Sequence, residues 1–110
     1  MSKIIHKPWG WEELWAHTDN YVGKRLFIRS RNRLSLQYHE KKEETITVIR
    51  GTLILEIDGE TRKLQCDESC HIPPGTKHRM CAGDNDVLLV EVSTPELDDI
   101  VRLEDDYGRK

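Results

Sequence analysis

The chain has 110 residues and a formal net charge of −3, and the 34% of its residues that are charged mix both signs. This length predicts one domain, and the charge balance leaves no basic surface that would bind nucleic acid. No apolar run approaches the roughly 20 residues of a membrane span, so we expect neither nucleic acid nor a membrane as partner. Three cysteines, an odd number, and the lack of an apolar signal sequence in residues 1–10 predict reduced thiols in the cytoplasm.

The elements predicted along the chain are almost all short strands. Residues 1–24, which hold three tryptophans, are interpreted as an N-terminal cap over one end of a barrel or as a dimer contact. Residues 25–93 are predicted as the β-barrel core, because runs of Val, Ile, Leu and Thr recur between turn residues. Residues 94–110 are a charged tail that we expect to dock on the barrel. The predicted strands are Arg25–Ser30, Leu34–His39, Thr45–Arg50, Leu53–Ile57, Thr61–Gln65, Ser69–Ile72 and Val87–Ser93.

Turn residues separate these strands at regular intervals. Asp58-Gly59 lies between two alternating runs, which is the strongest short-range signal for a β-hairpin. Pro73-Pro74-Gly75 indicates a second turn. Many short strands with this punctuation predict an all-β sandwich or barrel in a single domain, residues 1–110.

Four side chains could converge as ligands of a metal ion. Gln37 and His39 are two residues apart on one predicted strand, so they share a face. Glu44 follows where the chain turns back, and His78 comes three residues after the flexible Gly75. Two imidazoles, an amide oxygen and a carboxylate suit zinc, manganese, iron or nickel.

Simpler interpretations of these residues stay open on the sequence alone. A lone histidine in a strand is more often a hydrogen-bonded core or surface residue than a ligand, and adjacent acids are more often a solvated turn. Cys66, Cys70 and His71 lie close enough in sequence to suggest a second zinc site. Their spacing is not that of a usual structural zinc site, so we interpret the two cysteines as small buried thiols in strands.

The stretch from Gln37 to Gly51 resembles the first motif of the cupin superfamily, with Gln37 in the place of the first histidine. The segment IPPGTKH resembles the second motif, which makes His78 the last ligand. This resemblance implies a cupin double-stranded β-helix, also called a jelly-roll barrel, with the metal in its mouth. Proteins of this kind often form homodimers.

A closer resemblance extends from about Lys7 to Arg109. The segments PWG, LSLQYH, IPPGTKHR and DDIVRLEDDYGR resemble type II mannose-6-phosphate isomerases, specifically the C-terminal domain of bifunctional guanylyltransferase/isomerases. Among the departures from that pattern is Lys42, where arginine is more usual. The ligand set is kept while the pocket wall differs.

This resemblance implies a metal-dependent aldose–ketose isomerase acting on a sugar phosphate, with mannose 6-phosphate and fructose 6-phosphate as the first expectation. Zinc is the first expectation for the divalent ion, and manganese, cobalt, nickel and iron are the others. Arg79 is a candidate catalytic residue that would bind phosphate or enediolate oxygens through its guanidinium. Glu91, Lys77 and Glu43 are candidates for the base that moves the proton.

Two other kinds of function stay open. One is a non-catalytic module that binds a sugar or a sugar nucleotide in the same barrel, which would bind ligand without turnover. The other is a metal-dependent oxygenase, which iron content and oxygen uptake would distinguish from an isomerase.

Overall fold

The computed structural model describes residues 3–109, which form β-strands and no helix, so none of them forms a helix able to cross a membrane. Met1, Ser2 and Lys110, the outermost residues of the predicted cap and tail, lie outside the described residues. The strands are β1 (Lys3–Lys7), β2 (Gly10–His17), β3 (Val22–Ile28), β4 (Leu36–Tyr38), β5 (Glu44–Arg50), β6 (Leu53–Ile57), β7 (Glu60–Leu64), β8 (Ser69–Ile72), β9 (His78–Ala82), β10 (Val87–Ser93) and β11 (Val101–Glu104).

The strands form two antiparallel sheets that pack face to face. The larger sheet has the order β1-β2-β3-β10-β5-β8, and the smaller has the order β11-β4-β9-β6-β7. The all-β prediction is therefore confirmed. Most strand neighbours in the sheets are distant in sequence, so residues far apart along the chain meet on the inner faces.

The core lies between the two sheets and follows the alternation of side chains along each strand. On β5, Ile46 and Val48 point inward and are fully buried, as are Leu53 and Leu55 on β6. Each such side chain contributes roughly 1.5–3 kcal/mol of burial free energy. The same alternation on β5 turns Glu44 inward, which brings a carboxylate into the interior.

All seven predicted strands are present, with bounds shifted by three residues or fewer. Four further strands, β1, β2, β9 and β11, had not been predicted. Residues 3–17, which were interpreted as part of a cap, form β1 and β2 at one edge of the larger sheet. In the tail, β11 pairs with β4 and so extends the smaller sheet.

Two of the predicted turns have the backbone conformation that their residues favour. Asp58 and Gly59 have φ angles of 50° and 79°, as a two-residue type I′ hairpin requires, and they join β6 to β7. Gly75 has a φ of 80°, which glycine adopts without steric cost. Its N–H donates a hydrogen bond of 2.7 Å to the carbonyl oxygen of His39. This bond ties the loop before β9 to the end of β4.

Candidate metal centre

Three of the four predicted ligands meet between the two sheets. His39 follows β4, Glu44 begins β5 and His78 begins β9, and one ligand atom from each lies within 4.8 Å of the others. The Nε2 atoms of His78 and His39 lie 3.1 Å and 3.6 Å from Oε1 of Glu44. All three side chains are buried, so the cluster is an interior feature.

Backbone carbonyls orient both imidazole rings. Nδ1 of His39 lies 2.5 Å from the carbonyl oxygen of Asp99, and Nδ1 of His78 lies 2.9 Å from that of Thr76. A carbonyl oxygen only accepts, so Nδ1 must carry the proton in each ring. Nε2 of each ring faces Glu44, so a protonated Nε2 would interact favourably with the carboxylate, and an unprotonated Nε2 would offer its lone pair to a cation, as in a metal-binding histidine with its outer hydrogen bond.

The donor atoms of this cluster fit a divalent cation. Nε2 of both histidines and both carboxylate oxygens of Glu44 are buried without a hydrogen bond, although they lie at ion-pair distance from one another. Leaving a buried polar atom unpaired costs about 1–3 kcal/mol, and a bound cation would satisfy all four atoms. Two imidazole nitrogens and a carboxylate suit zinc and its first-row neighbours, without selecting one of them.

The charge on Glu44 is maintained by its neighbours. Burial alone would raise the pKa of this carboxyl, but His39, His78 and the ammonium of Lys42 hold the pKa well below its usual range. Glu44 is therefore ionised at neutral pH, as a metal ligand must be.

Gln37, the fourth predicted ligand, lies beside the cluster. It pairs with His78 across β4 and β9, and its side chain lines the same cavity as His39. Its amide oxygen accepts a hydrogen bond of 2.9 Å from the hydroxyl of Ser35. That bond fixes the position of the amide oxygen, whose second lone pair stays available to a metal ion.

A buried acid–base pair stands next to the cluster. Nζ of Lys42 lies 3.0 Å from Glu91 and 3.3 Å from Glu44. Burial, together with the negative charge of Glu44, raises the pKa of Glu91 to about 7. Burial opposes the charge of Lys42, but the two carboxylates outweigh it and raise its pKa above the usual range.

His39 of the cluster lines a cavity of about 510 Å³ between the larger sheet and the tail. The residues that line it include Lys24 and Glu91 of the larger sheet, His39 and Lys42 of the segment after β4, and Ile100 of the tail. A volume of this size lies within the range of small-molecule sites. A ligand in this cavity would contact the histidine cluster and Glu91 together.

The remaining predicted residues lie away from this cavity. The buried guanidinium of Arg79 donates from Nε to the carbonyl oxygen of Leu34 at 2.9 Å, and from Nη2 to that of Glu104 at 3.1 Å. Lys77 is exposed in the loop before β9. Glu43 is also exposed, and its carboxylate lies 2.6 Å from Nε2 of His71. The structure thus brings Glu91 to the cluster and does not bring these three.

The cysteines do not form a second site among residues 3–109. The prediction of a buried thiol is wrong for Cys66, which is exposed between β7 and β8, whereas Cys70 and Cys81 are buried, and all three are free thiols. Cys70 faces the interior from β8 while its neighbour His71 faces outward.

Asp99 and Lys24 contribute to this region and had not been singled out in the sequence. Asp99 accepts hydrogen bonds from the backbone N–H groups of residues 40–42, which connect His39 to Glu44. It lies about sixty residues further along the chain, so no local pattern reveals its role. Lys24 could have been found from its alternation with Leu26, which places a charge on an inward face.

Comparison with known proteins supports this architecture. Over residues 1–105 the chain matches the family described as mannose-6-phosphate isomerase C-terminal. It is 35% identical over 113 aligned residues to mannose-1-phosphate guanylyltransferase ManC of Salmonella typhimurium, covering 99% of this chain but only 24% of that protein. The chain thus spans about a quarter of the length of that relative.

Solved structures share the fold at low sequence identity. KdgF from Halomonas sp. has a TM-score of 0.80 and 22% identity, with 87% of this chain and 88% of that chain covered. A cupin described as a sugar phosphate isomerase from Silicibacter pomeroyi has a TM-score of 0.69 and 18% identity, covering 76% and 58%. These likenesses confirm the predicted cupin fold. By its match over residues 1–105, the chain belongs to the mannose-6-phosphate isomerase C-terminal family.

Proposed function

We propose that this protein is a metal-dependent aldose–ketose isomerase acting on mannose 6-phosphate and fructose 6-phosphate, or on a closely related sugar phosphate. The observation that carries the proposal is the buried Glu91, which lines one cavity with His39 and is linked through Lys42 to Glu44 of the His39–Glu44–His78 cluster. Aldose–ketose isomerisation needs these two elements, a polarised carbonyl and a group that moves a proton between adjacent carbons.

The metal would be held by His39, Glu44 and His78, with Gln37 available as a fourth ligand. Zinc is our first expectation, and manganese, cobalt, nickel and iron suit the same donors. When bound, such an ion supplies Lewis-acid polarisation of the carbonyl and adjacent hydroxyl oxygens. The outer hydrogen bonds of the two histidines keep the Nε2 atoms directed at it.

Glu91 would carry the proton. Its carboxylate would remove the proton from C2 of the aldose and return it to C1, while the hydroxyl proton of O2 passes to O1, which gives the ketose. A pKa of about 7 suits this exchange, because the group is then divided between its acid and base forms near neutral pH. Lys42 contacts Glu91 at 3.0 Å and would position its carboxylate, while the cavity wall excludes bulk water.

Family membership and the fold of the Silicibacter pomeroyi protein both support a sugar phosphate as substrate. The guanylyltransferase name belongs to a relative about four times as long, and we do not extend that activity to this chain.

The test is a coupled assay for conversion of mannose 6-phosphate to fructose 6-phosphate, with metal-stripped protein reloaded with each candidate ion. Glu91→Gln should lower kcat by roughly 10²- to 10⁴-fold, the usual contribution of a general base. The matched control is Glu43→Gln, since Glu43 is an exposed acid outside the cavity and its loss should leave kcat unchanged. Full activity in Glu91→Gln would show that another group moves the proton.

A second candidate is a non-catalytic module that binds a sugar or a sugar nucleotide. It is favoured by the ion pair between Lys42 and Glu91, because a carboxylate held by an ammonium group can accept hydrogen bonds from sugar hydroxyl groups without moving a proton. This function predicts tight binding of mannose 6-phosphate or a sugar nucleotide, with no turnover in the presence of any of the five metals.

We also propose that the protein is a homodimer that pairs through the outer face of the larger sheet. Trp11 stacks on Phe27 there with ring centroids 5.5 Å apart, and Trp15 and Val92 are 44% and 47% exposed. An apolar outer face of this kind is typical of an interaction surface rather than of a solvated sheet. A second copy would cover it with the same residues around a two-fold axis.

A further inference from the structure

Charged side chains cross the inner face of the larger sheet between its edge and the metal cluster. Lys7 of β1, Glu12 of β2, Lys24 of β3 and Glu91 of β10 all line the cavity, and Glu44 of β5 follows them. The signs of the first four alternate, and the series ends on two acids, Glu91 and Glu44. Lys24 and Glu91 are direct partners in the pairing of β3 with β10, so the series runs without a gap across neighbouring strands.

The two lysines share one carboxylate. Nζ of Lys24 lies 2.8 Å and Nζ of Lys7 lies 3.3 Å from Glu12, whose side chain is 11% exposed. Burial would raise the pKa of Glu12, but the two ammonium groups outweigh it and lower the pKa, so the carboxylate is ionised. Two positive charges against one negative leave a net positive charge on the cavity wall.

Both ammonium groups keep donors for a ligand. Each has three N–H donors, and among residues 3–109 Glu12 is the only acid within 4 Å of either. The side chains of Lys24 and Lys7 are 15% and 28% exposed, so a ligand in the cavity can reach them while bulk solvent is largely excluded. Glu12 holds both ammonium groups in place, so the two lysine side chains lose less conformational entropy when an anion binds.

The spacing fits a phosphorylated sugar. Lys24 is on the second strand from β5, where Glu44 begins, and two strand spacings are about 10 Å. A six-carbon chain with bonds of about 1.5 Å places its terminal phosphate roughly 9 Å from C1. With C1 and C2 at the metal cluster, the phosphate would therefore lie over β3, beside Lys24.

We infer that Lys24 and Lys7, held by Glu12, form the site that recognises the phosphate group of the ligand. The inference rests on the proposed function for the identity of the sugar, and it gives the phosphate a site other than Arg79, whose guanidinium is engaged by backbone carbonyls. A phosphate near neutral pH carries close to two negative charges, so it matches this wall better than a neutral hydroxymethyl group does.

The experiment measures binding rather than turnover. Calorimetric titrations of the metal-loaded protein with mannose 6-phosphate, mannose and inorganic phosphate separate the phosphate contribution from the sugar contribution, and GDP-mannose tests a sugar nucleotide as the source of the phosphate. Lys24→Met should weaken mannose 6-phosphate binding roughly 10- to 100-fold, the effect of one lost charged hydrogen bond. Lys24→Arg should keep most of the affinity, and the exposed Lys63→Met on β7 should change nothing.

A second variant guards against loss of fold, because Lys24→Met leaves Glu12 with one partner. The double variant Glu12→Gln/Lys24→Met removes both charges and should show the same weakening with an unchanged metal-induced rise in Tm. Equal binding of mannose and mannose 6-phosphate by the wild type, or full mannose 6-phosphate affinity in the folded double variant, would overturn the inference.

The outcomes separate this inference from the proposed function. Lys24-dependent binding of mannose 6-phosphate without turnover would support the phosphate site and reject the isomerase. Turnover with a phosphate preference that does not depend on Lys24 or Lys7 would support the isomerase and reject the phosphate site. Preference for GDP-mannose over mannose 6-phosphate, lost in Lys24→Met, would keep the phosphate site and assign it to a sugar nucleotide.

Discussion

Metal binding should stabilise the folded protein by an amount that can be calculated. The cluster has four buried donor atoms without hydrogen bonds, and an ion that satisfies them binds the folded chain far better than the unfolded one. Metal at a free concentration 100 times its Kd adds about 2.7 kcal/mol to the free energy of unfolding. For 110 residues the entropy of unfolding is roughly 0.23 kcal/mol/K, so Tm should rise by about 12 °C.

The assay is a thermal melt of chelator-stripped protein with and without each metal. His78→Ala removes one Nε2 donor, so the rise in Tm should fall below about 2 °C at the same metal concentration. His71→Ala is the matched control, because His71 is exposed and contacts Glu43 outside the cluster, and it should keep the full rise. A full rise in His78→Ala, or loss of the rise in His71→Ala, would refute the assignment of the cluster.

Four further predictions concern Asp99, Arg79 and the outer face of the larger sheet. Asp99→Ala should weaken metal binding roughly 10- to 100-fold in a chelator competition, because residues 40–42 lose their common acceptor; unchanged affinity would contradict this. Those N–H groups lower the pKa of Asp99 to about 2, so its stabilising effect should be complete above pH 4 and disappear as pH falls towards 2, which Tm against pH in wild type and Asp99→Ala will measure. Arg79→Met should lower the free energy of unfolding by about 2 kcal/mol while mannose 6-phosphate affinity stays within about twofold, since the buried guanidinium binds carbonyl oxygens; the reverse pattern would place Arg79 in the ligand site. Trp15→Glu should convert a dimer into a monomer in light scattering, and a wild-type monomer would reject the proposed interface.

The positions of the candidate metal ligands could be predicted largely because they follow from local rules. Alternation along the strand predicted that Gln37 and His39 share a face, and both are buried in the structure. The same rule predicted that Glu44 shares a face with Ile46 and Val48, which are inward and fully buried. The approach of His78 was predicted from the turn at Gly75, and in the structure it occurs through the pairing of β4 with β9.

What could not be predicted depends on contacts between distant residues. β9 is buried at every position, so it lacks the alternation that reveals a strand with one solvated face. In β1 and β2 the inward positions include Lys3, Lys7 and Glu12, because the inner face there lines a polar cavity rather than the core. A charged inward face reverses the usual pattern, so alternation did not reveal these strands, and the segment was interpreted from its three tryptophans as a cap.

Arg79 shows why residue type alone is a poor guide to a phosphate site. Neighbouring residues on a strand face opposite sides, so an arginine next to the inward His78 must point away from the cluster. In the structure its guanidinium donates hydrogen bonds to the carbonyl oxygens of Leu34, just before β4, and of Glu104 in the tail, and so connects these two segments. Lys24 is inward by the same rule, two residues before the core residue Leu26.

The candidate metal cluster takes its residues from both sheets and depends on the tail for its geometry. His39 and His78 adjoin strands of the smaller sheet, whereas Glu44 begins a strand of the larger one. The carbonyl of Asp99 sets the tautomer of His39, and its carboxylate holds the chain between His39 and Glu44. Opening of the tail would therefore release a ligand and the turn between two ligands at once, so metal binding and docking of the tail should be coupled.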